Sequence, residues 1–467
     1  MHRKAYQVLK DILTSPVRAF ILFASLFGMM IIFIMPPFTG ADEEAHFVRA
    51  YGISRGNFVI QDQEKVEMPV EFRKTIGCLQ DKRPVPGEMY TYSYNSYGNE
   101  KQKTLTCMNA AGEEKEVYEP VMTSASGYSP LTFIPQVAAI YISDLFKAPI
   151  YIADYLVRIA VLAAYILMAG VAIKITPQRK WAMVGILLFP TVILQVSNPG
   201  ADYMLIGSTA IFIAGILRSR QIDNVKDKVI YRKILALVVL AAVFMIVPKG
   251  LFPGICILPA LFFFGSIRRD ILIKSALAIL VLAIGVTWQW FAVSIVNTVS
   301  ENSTSLTDFP RAFYVTMFTG WANTDFIYST PRLGIDTKIG MPSIAITVMN
   351  FLLAMYMFVD YGESKKKAQR SKEGIFFTAS ICIIACAIVI GTFAAMYVAA
   401  SYLQHGDTGI RGVQARYFVP AFLLLAAVPY VRKFASSEST YRTVTIWGSL
   451  FILISQTLML LHMHNWL

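Results

Sequence analysis

The chain has 467 residues, 55% of them hydrophobic and 15% charged, with a mean hydropathy of +0.53. Soluble domains carry about 25% charged residues, so this composition excludes a string of water-soluble domains and also a disordered chain. A net charge of +12 and a pI near 9.3 do not make it a nucleic-acid binder, because in so apolar a chain excess Lys and Arg mark the cytoplasmic ends of membrane helices.

A bilayer core about 30 Å thick takes roughly 20 apolar residues per helix. Such runs fall at 19–37, 150–173, 181–197, 202–217, 234–248, 250–266, 271–297, 343–359, 375–399, 417–431 and 443–462. They predict an all-α polytopic membrane protein of about eleven transmembrane helices, counted on that length. The expected organisation is an N-terminal segment 1–18, a first span 19–37, a large loop or cap 38–148, six spans in 149–297, a second loop 298–342 and four spans in 343–467. The first run is not a cleavable signal peptide: it is long, ends in Met35-Pro36-Pro37 without a small-residue cleavage site, and further spans follow.

More than half of the 42 Lys and Arg lie in short connections that fall on one side of this arrangement, including Arg3, Lys10, Lys174, Arg179, Arg218, Arg268, Lys365 and Arg432. The positive-inside rule places that side and the N-terminus in the cytoplasm, with the C-terminus outside. The alternation requires that 130–146, with Pro130 and Pro135, lie on the outer surface instead of crossing. The 38–148 segment is polar and turn-rich, and its length fits a small folded cap better than a bare loop. Cys78 and Cys107 both fall in it, as a disulfide of an oxidising compartment or as two free thiols. Asn302-Ser303-Thr304 matches a glycosylation sequon, a weak three-residue signal.

Ionisable residues at the ends of apolar helices are costly to desolvate and are candidates for function. The densest group follows the first span: Asp42-Glu43-Glu44-Ala45-His46-Phe47-Val48-Arg49. On a helix, Asp42, His46 and Arg49 share a face, joining a carboxylate base, a proton-tuning group and a cation. The competing reading is a helix start, with Thr39-x-x-Asp42 as a capping box and acids favoured by the dipole. Asp154 and Arg158 stand one turn apart, as a local pair or as part of an anion site. Asp202 ends the outer turn Ser197-Asn198-Pro199-Gly200-Ala201 and either caps the next span or faces a ligand. Lys249, in the outer turn Pro248-Lys249-Gly250, runs against the charge bias and is a candidate for a bound phosphate. Arg411, Gln414 and Arg416 precede the tenth run, as interfacial anchors or substrate contacts. No His has zinc-like spacing with Cys and no Walker loop is present, so no cofactor is expected, while the need for a divalent metal stays open. Mid-span acid pairs of the proton-coupled type are also missing, which weakens a secondary-transport reading.

Several segments carry a resemblance. Asp42-Glu43-Glu44-Ala45-His46-Phe47-Val48-Arg49-Ala50, continuing to Gly56-Asn57-Phe58, resembles the start of the first outer loop in GT-C membrane glycosyltransferases, which use polyprenyl-phosphate sugars. With Tyr128-Ser129-Pro130-Leu131-Thr132-Phe133-Ile134-Pro135, Arg158, Pro190, Ser197 to Asp202, Lys249 and Gln414-Ala415-Arg416-Tyr417-Phe418-Val419-Pro420, the whole chain resembles a bacterial domain-of-unknown-function family often grouped with that superfamily. The resemblance implies a GT-C fold, Asp42 as catalytic base with Glu43 as its neighbour, and Arg158, Lys249 and Arg416 holding the donor phosphate. It implies transfer of a sugar from a polyprenyl-phosphate carrier to an envelope glycan, polymer or lipid. Ser129 stands where an extra Pro is common, and no large soluble C-terminal domain follows, which points to a small or lipid-linked acceptor or one held by the cap. The alternative is a non-enzymatic transporter or assembly partner for lipid-linked glycans.

Overall fold

The computed structural model describes residues 7, 10–40, 42–59, 65–80, 118–222, 227–247, 252–265, 270–295, 309–314, 343–361, 372–399, 410, 415–427 and 434–463. It is a helical membrane bundle with a small cap. Six helices among the described residues are long and apolar enough to cross a membrane: α1 (Pro16–Ile34), α5 (Ile150–Ile175), α9 (Lys228–Ile246), α11 (Ile271–Ile295), α14 (Lys372–Ala399) and α16 (Glu438–Met463). Between them stand shorter helices: α6 (Lys180–Leu187), α7 (Pro190–Val196), α8 (Asp202–Ser219), α10 (Phe252–Ile257), α12 (Phe309–Tyr314), α13 (Ser343–Phe358) and α15 (Val419–Ala427).

The apolar runs do not reveal where these helices break. The run at 181–197 is two helices, because Pro190 has no N–H to give the carbonyl of Ile186. Phe189 N–H takes that carbonyl instead, and Tyr165 Oη donates to the carbonyl of Leu187 next to the break. The run at 250–266 closes as a 3₁₀ turn over Leu258–Phe263, and the tenth run opens as one over Ala415–Phe418. Both regions tighten beside a proline, Pro259 and Pro420.

The cap is not wholly helical. It contains α2 (Glu43–Ser54), α3 (Val70–Gln80) and a two-stranded antiparallel ribbon of β1 (Val66–Pro69) and β2 (Tyr118–Val121), in register Val66 to Val121. Phe38, Phe47 and Phe72 form its aromatic centre, with ring centroids 5.0 to 6.0 Å apart. The 130–146 segment is a 3₁₀ turn (Pro130–Phe133) followed by α4 (Ile134–Leu145). α4 packs on α2 and α5 while Ile134, Ile142 and Leu145 stay exposed, the pattern of a helix lying along an apolar surface.

The two ends of the bundle differ. At one, Arg179 is buried with a left-handed backbone and donates to the carbonyls of Ala426 and Tyr356, and to that of Val359 at 3.3 Å. It thereby supplies donors to carbonyls that end α13 and α15. Beside it, β3 (Val359–Tyr361) pairs in parallel with β4 (Phe434–Ser436). The other end gathers the candidate residues.

Candidate functional site

Four chain segments meet at that end: the exit of α1, the start of α5, the turn between α7 and α8, and the 3₁₀ turn before α15. Pro36 and Pro37 stop α1. Because Pro36 has no N–H, the carbonyl of Ile32 has no helical partner, and Arg158 of α5 supplies one. Its Nη1 donates to Ile32 O at 3.1 Å and Met35 O at 2.7 Å, and its Nη2 to Pro36 O at 2.7 Å. Nε and Nη2 then grip both oxygens of Glu43 at 2.6 and 2.9 Å, and Asp154 lies 2.9 Å from Nε.

All five N–H groups of Arg158 are thus taken by protein acceptors, and Arg158, Glu43 and Asp154 are each fully buried. The role expected for Arg158, holding a donor phosphate, meets a guanidinium with no N–H to spare. Glu43, expected beside the base, is locked away from solvent for the same reason. The local pair Asp154–Arg158 exists, but as one edge of a clamp that fixes the end of α1 to the start of α2.

In front of this clamp lies a second, more open centre. The side chain of Asp42 is 59% exposed and accepts a hydrogen bond from Arg416 Nη2 at 2.8 Å, across 374 positions of chain. Arg416 is buried, its Nη1 donates to Gln195 Oε1 at 2.9 Å, and its Nε lies 3.4 Å from Asp202. Asp202 opens α8, where the helix dipole favours a carboxylate. Asp42 precedes α2 with φ 57°, and its side chain makes no cap hydrogen bond. Asp is among the few non-glycine residues that take up this conformation, at a cost of about 1 kcal/mol or less, and left-handed non-glycine residues collect at functional sites. The expected capping box is therefore not formed. Thr39 Oγ1 donates to Pro36 O, while Glu43 accepts from the N–H of Gly40.

The shared face expected of Asp42, His46 and Arg49 does not form, because Asp42 sits before the helix in a left-handed conformation. His46 is buried beside Tyr128 and Phe133, with ring centroids 4.9 and 6.0 Å away, next to Gly200. Arg49 is fully buried and donates to the carbonyls of Asn57, Phe58 and Tyr128 at 2.8 to 3.4 Å, tying the exit of α2 to the bend at Tyr128. Burial pulls its guanidinium down to about 10, so it is still charged near neutrality. Lys249 and Arg411 lie outside the described residues, as does Cys107, and with it the expected Cys78–Cys107 pairing.

Two contributors escape sequence reasoning. Gln195 reads as an ordinary polar residue in an apolar run, yet it holds Arg416. Gly40 is required by proximity: a Cβ there would fall 2.5 Å from Asn198 Oδ1 and 2.8 Å from Glu43 Oε2. One apolar groove of about 840 Å³ runs along α1 beside Leu22, Ser25, Met29, Phe33 and Ile34, with Leu461 of α16 also lining it. Its Ile34 end adjoins the carbonyls that Arg158 holds.

The fold aligns with the crystal structure of ArnT from Cupriavidus metallidurans bound to undecaprenyl phosphate, at 12% identity and a TM-score of 0.43, over 96% of this chain and 74% of that one. That likeness is too distant to carry a substrate or an activity across. No curated protein matches the sequence. A family model described as predicted membrane protein (DUF2142) matches residues 23–425, a range that includes Asp42, Asp202 and Arg416, and the chain belongs to that family.

Proposed function

We propose that this protein is a membrane glycosyltransferase that moves a sugar from a polyprenyl-phosphate carrier to a hydroxyl of an envelope glycan, polymer or lipid. The observation that carries the reading is Asp42: an exposed carboxylate on left-handed backbone, oriented by a buried arginine that comes from the far end of the chain. Glycosyl transfer needs a base aimed at the acceptor oxygen as the bond to the sugar forms, and a fixed carboxylate meets that need. In a single displacement the acceptor oxygen attacks the anomeric carbon, its proton passes to Asp42, and the phosphate leaves with the bonding electrons, inverting the sugar.

The leaving phosphate requires cations. Arg158 and Arg416 are engaged with carboxylates in the structure, so Lys249 and Arg411 are the proposed phosphate contacts. The groove along α1 supports the lipid part of the reading, since an isoprenoid chain is apolar and long. Positive-inside charge supports a site on the outer face of a bacterial cytoplasmic membrane, with the N-terminus inside and the C-terminus outside, because Lys174, Arg179 and Lys180 flank the opposite end.

The test is compositional analysis of envelope glycans in a deletion strain carrying either the wild-type gene or Asp42→Asn, at matched membrane levels. Loss of a sugar restored by the wild type but not by Asp42→Asn is the expected result. Full restoration by Asp42→Asn would instead favour a non-enzymatic export or assembly role.

A further inference from the structure

The last turn of α7 and the loop after it carry two amide side chains that the protein does not use in full. Asn198 is 2% exposed, and neither its Oδ1 nor its Nδ2 has a hydrogen-bond partner among the described residues. Gln195 is 3% exposed; its Oε1 accepts from Arg416, but its Nε2 donates to nothing described. Buried polar groups are almost always satisfied, and one that is not lowers stability. Here two occur three positions apart, and both abut the Asp42 segment. Asn198 lies against Gly40, and Gln195 lies on the guanidinium that holds Asp42. A leucine at position 198 would fill similar space without that penalty.

The chemistry of the free amide atoms narrows the ligand. Asn198 Oδ1 is an acceptor, which an anion without a proton to give leaves unanswered. A bare cation needs acceptors alone, and the amide N–H₂ groups oppose it. Hydroxyl groups both donate and accept, which is what one complete amide and one free amide N–H₂ can answer. The rings of His46 and Tyr128 stand just beyond Gly200 and offer an apolar wall.

We infer that Asn198 and Gln195 form a hydroxyl-reading subsite beside Asp42, which takes neighbouring hydroxyls of a pyranose or similar polyol. The inference rests on the transferase reading for its purpose and gives the acceptor's chemical class: a neutral, vicinally hydroxylated ring, with the phosphate lodged elsewhere.

The experiment uses the full chain in lipid nanodiscs and saturation-transfer NMR with methyl α-glucoside, methyl α-galactoside and methyl α-mannoside, and with inorganic phosphate as competitor. At least one glycoside should bind without being displaced by equimolar phosphate. Asn198→Leu and Asn198→Ala should each weaken binding about tenfold, the scale of one lost hydrogen-bonding group. Asn198→Leu should also raise the thermal midpoint, whereas an amide with a structural role would lower it. Absence of binding to all three glycosides, displacement by phosphate, retained binding in Asn198→Ala, or a lowered midpoint or lost fold in Asn198→Leu would each overturn the inference. The glycan analysis of Asp42→Asn reads transfer and this experiment reads binding, so the two proposals fail separately.

Discussion

Arg158→Ala is the substitution whose consequence the structure determines most sharply. It removes five donated hydrogen bonds at once and leaves Glu43 and Asp154 facing each other in a site that water does not reach. Removing one partner of a buried ion pair costs about 3–5 kcal/mol. The orphaned carbonyls of Ile32 and Met35 push toward the upper end, while Pro36 O keeps its bond from Thr39 Oγ1; each unsatisfied buried acceptor costs about 1–3 kcal/mol and these terms are not additive. Protonation of one acid recovers part of the loss, so a net destabilisation of about 4 kcal/mol is expected on those scales. Denaturation in detergent, followed by helical signal, measures it. Arg158→Lys has three donors for five acceptors and should fall between. The triple change Arg158→Leu, Glu43→Leu and Asp154→Leu should recover most of the stability, because apolar replacement of a buried ion cluster is often neutral or favourable. If Arg158→Ala unfolds within about 1 kcal/mol of the wild type, the clamp is not what holds α1 to α2, and a direct role for Arg158 toward a ligand returns.

Other substitutions probe the same end of the bundle. Arg49→Ala should cost about 1–3 kcal/mol, chiefly through the half-buried carbonyl of Tyr128, since water reaches those of the exposed Asn57 and Phe58, seen as loss of protease resistance in the cap before the bundle melts. Gly40→Ala should cost about 1–3 kcal/mol through overpacking against Asn198 and the pinned Glu43, with partial rescue in an Asn198→Ala background, measured by thermal midpoints. Asp42→Gly relieves a left-handed backbone costing about 1 kcal/mol or less and loses an ion pair discounted by the 59% exposure of Asp42. It should therefore be as stable as the wild type or slightly more so while transfer is lost.

The bundle was readable in the sequence because burial in lipid demands long apolar runs, and those runs are local. The charged end was readable in part. Asp42, Asp202 and Arg416 stand out because ionisable groups at helix ends are expensive, but their meeting depends on how α1, α8 and α15 pack, which no local pattern encodes. The same holds for Glu43 turning inward to Arg158. The helical face expected from Asp42, His46 and Arg49 assumed that the helix includes Asp42, whereas the left-handed φ at Asp42 starts it one residue later and aims that carboxylate elsewhere. Gln195 carried no signal, since a lone Gln in an apolar run has many uses. The β1–β2 ribbon was hidden because two four-residue strands, separated by a long stretch of chain, show almost no alternation.

The central claim is that Asp42 acts as a base and not as a cap or a fold element. Its direct measurement is the rate of sugar transfer in membranes from the deletion strain carrying Asp42→Asn, compared with wild type at equal protein level and thermal midpoint. Loss of a general base predicts a fall of about 10²–10⁴-fold with the midpoint unchanged, because the carboxylate is largely exposed and Asn tolerates the left-handed backbone. Transfer at the wild-type rate by a folded Asp42→Asn protein would contradict the account.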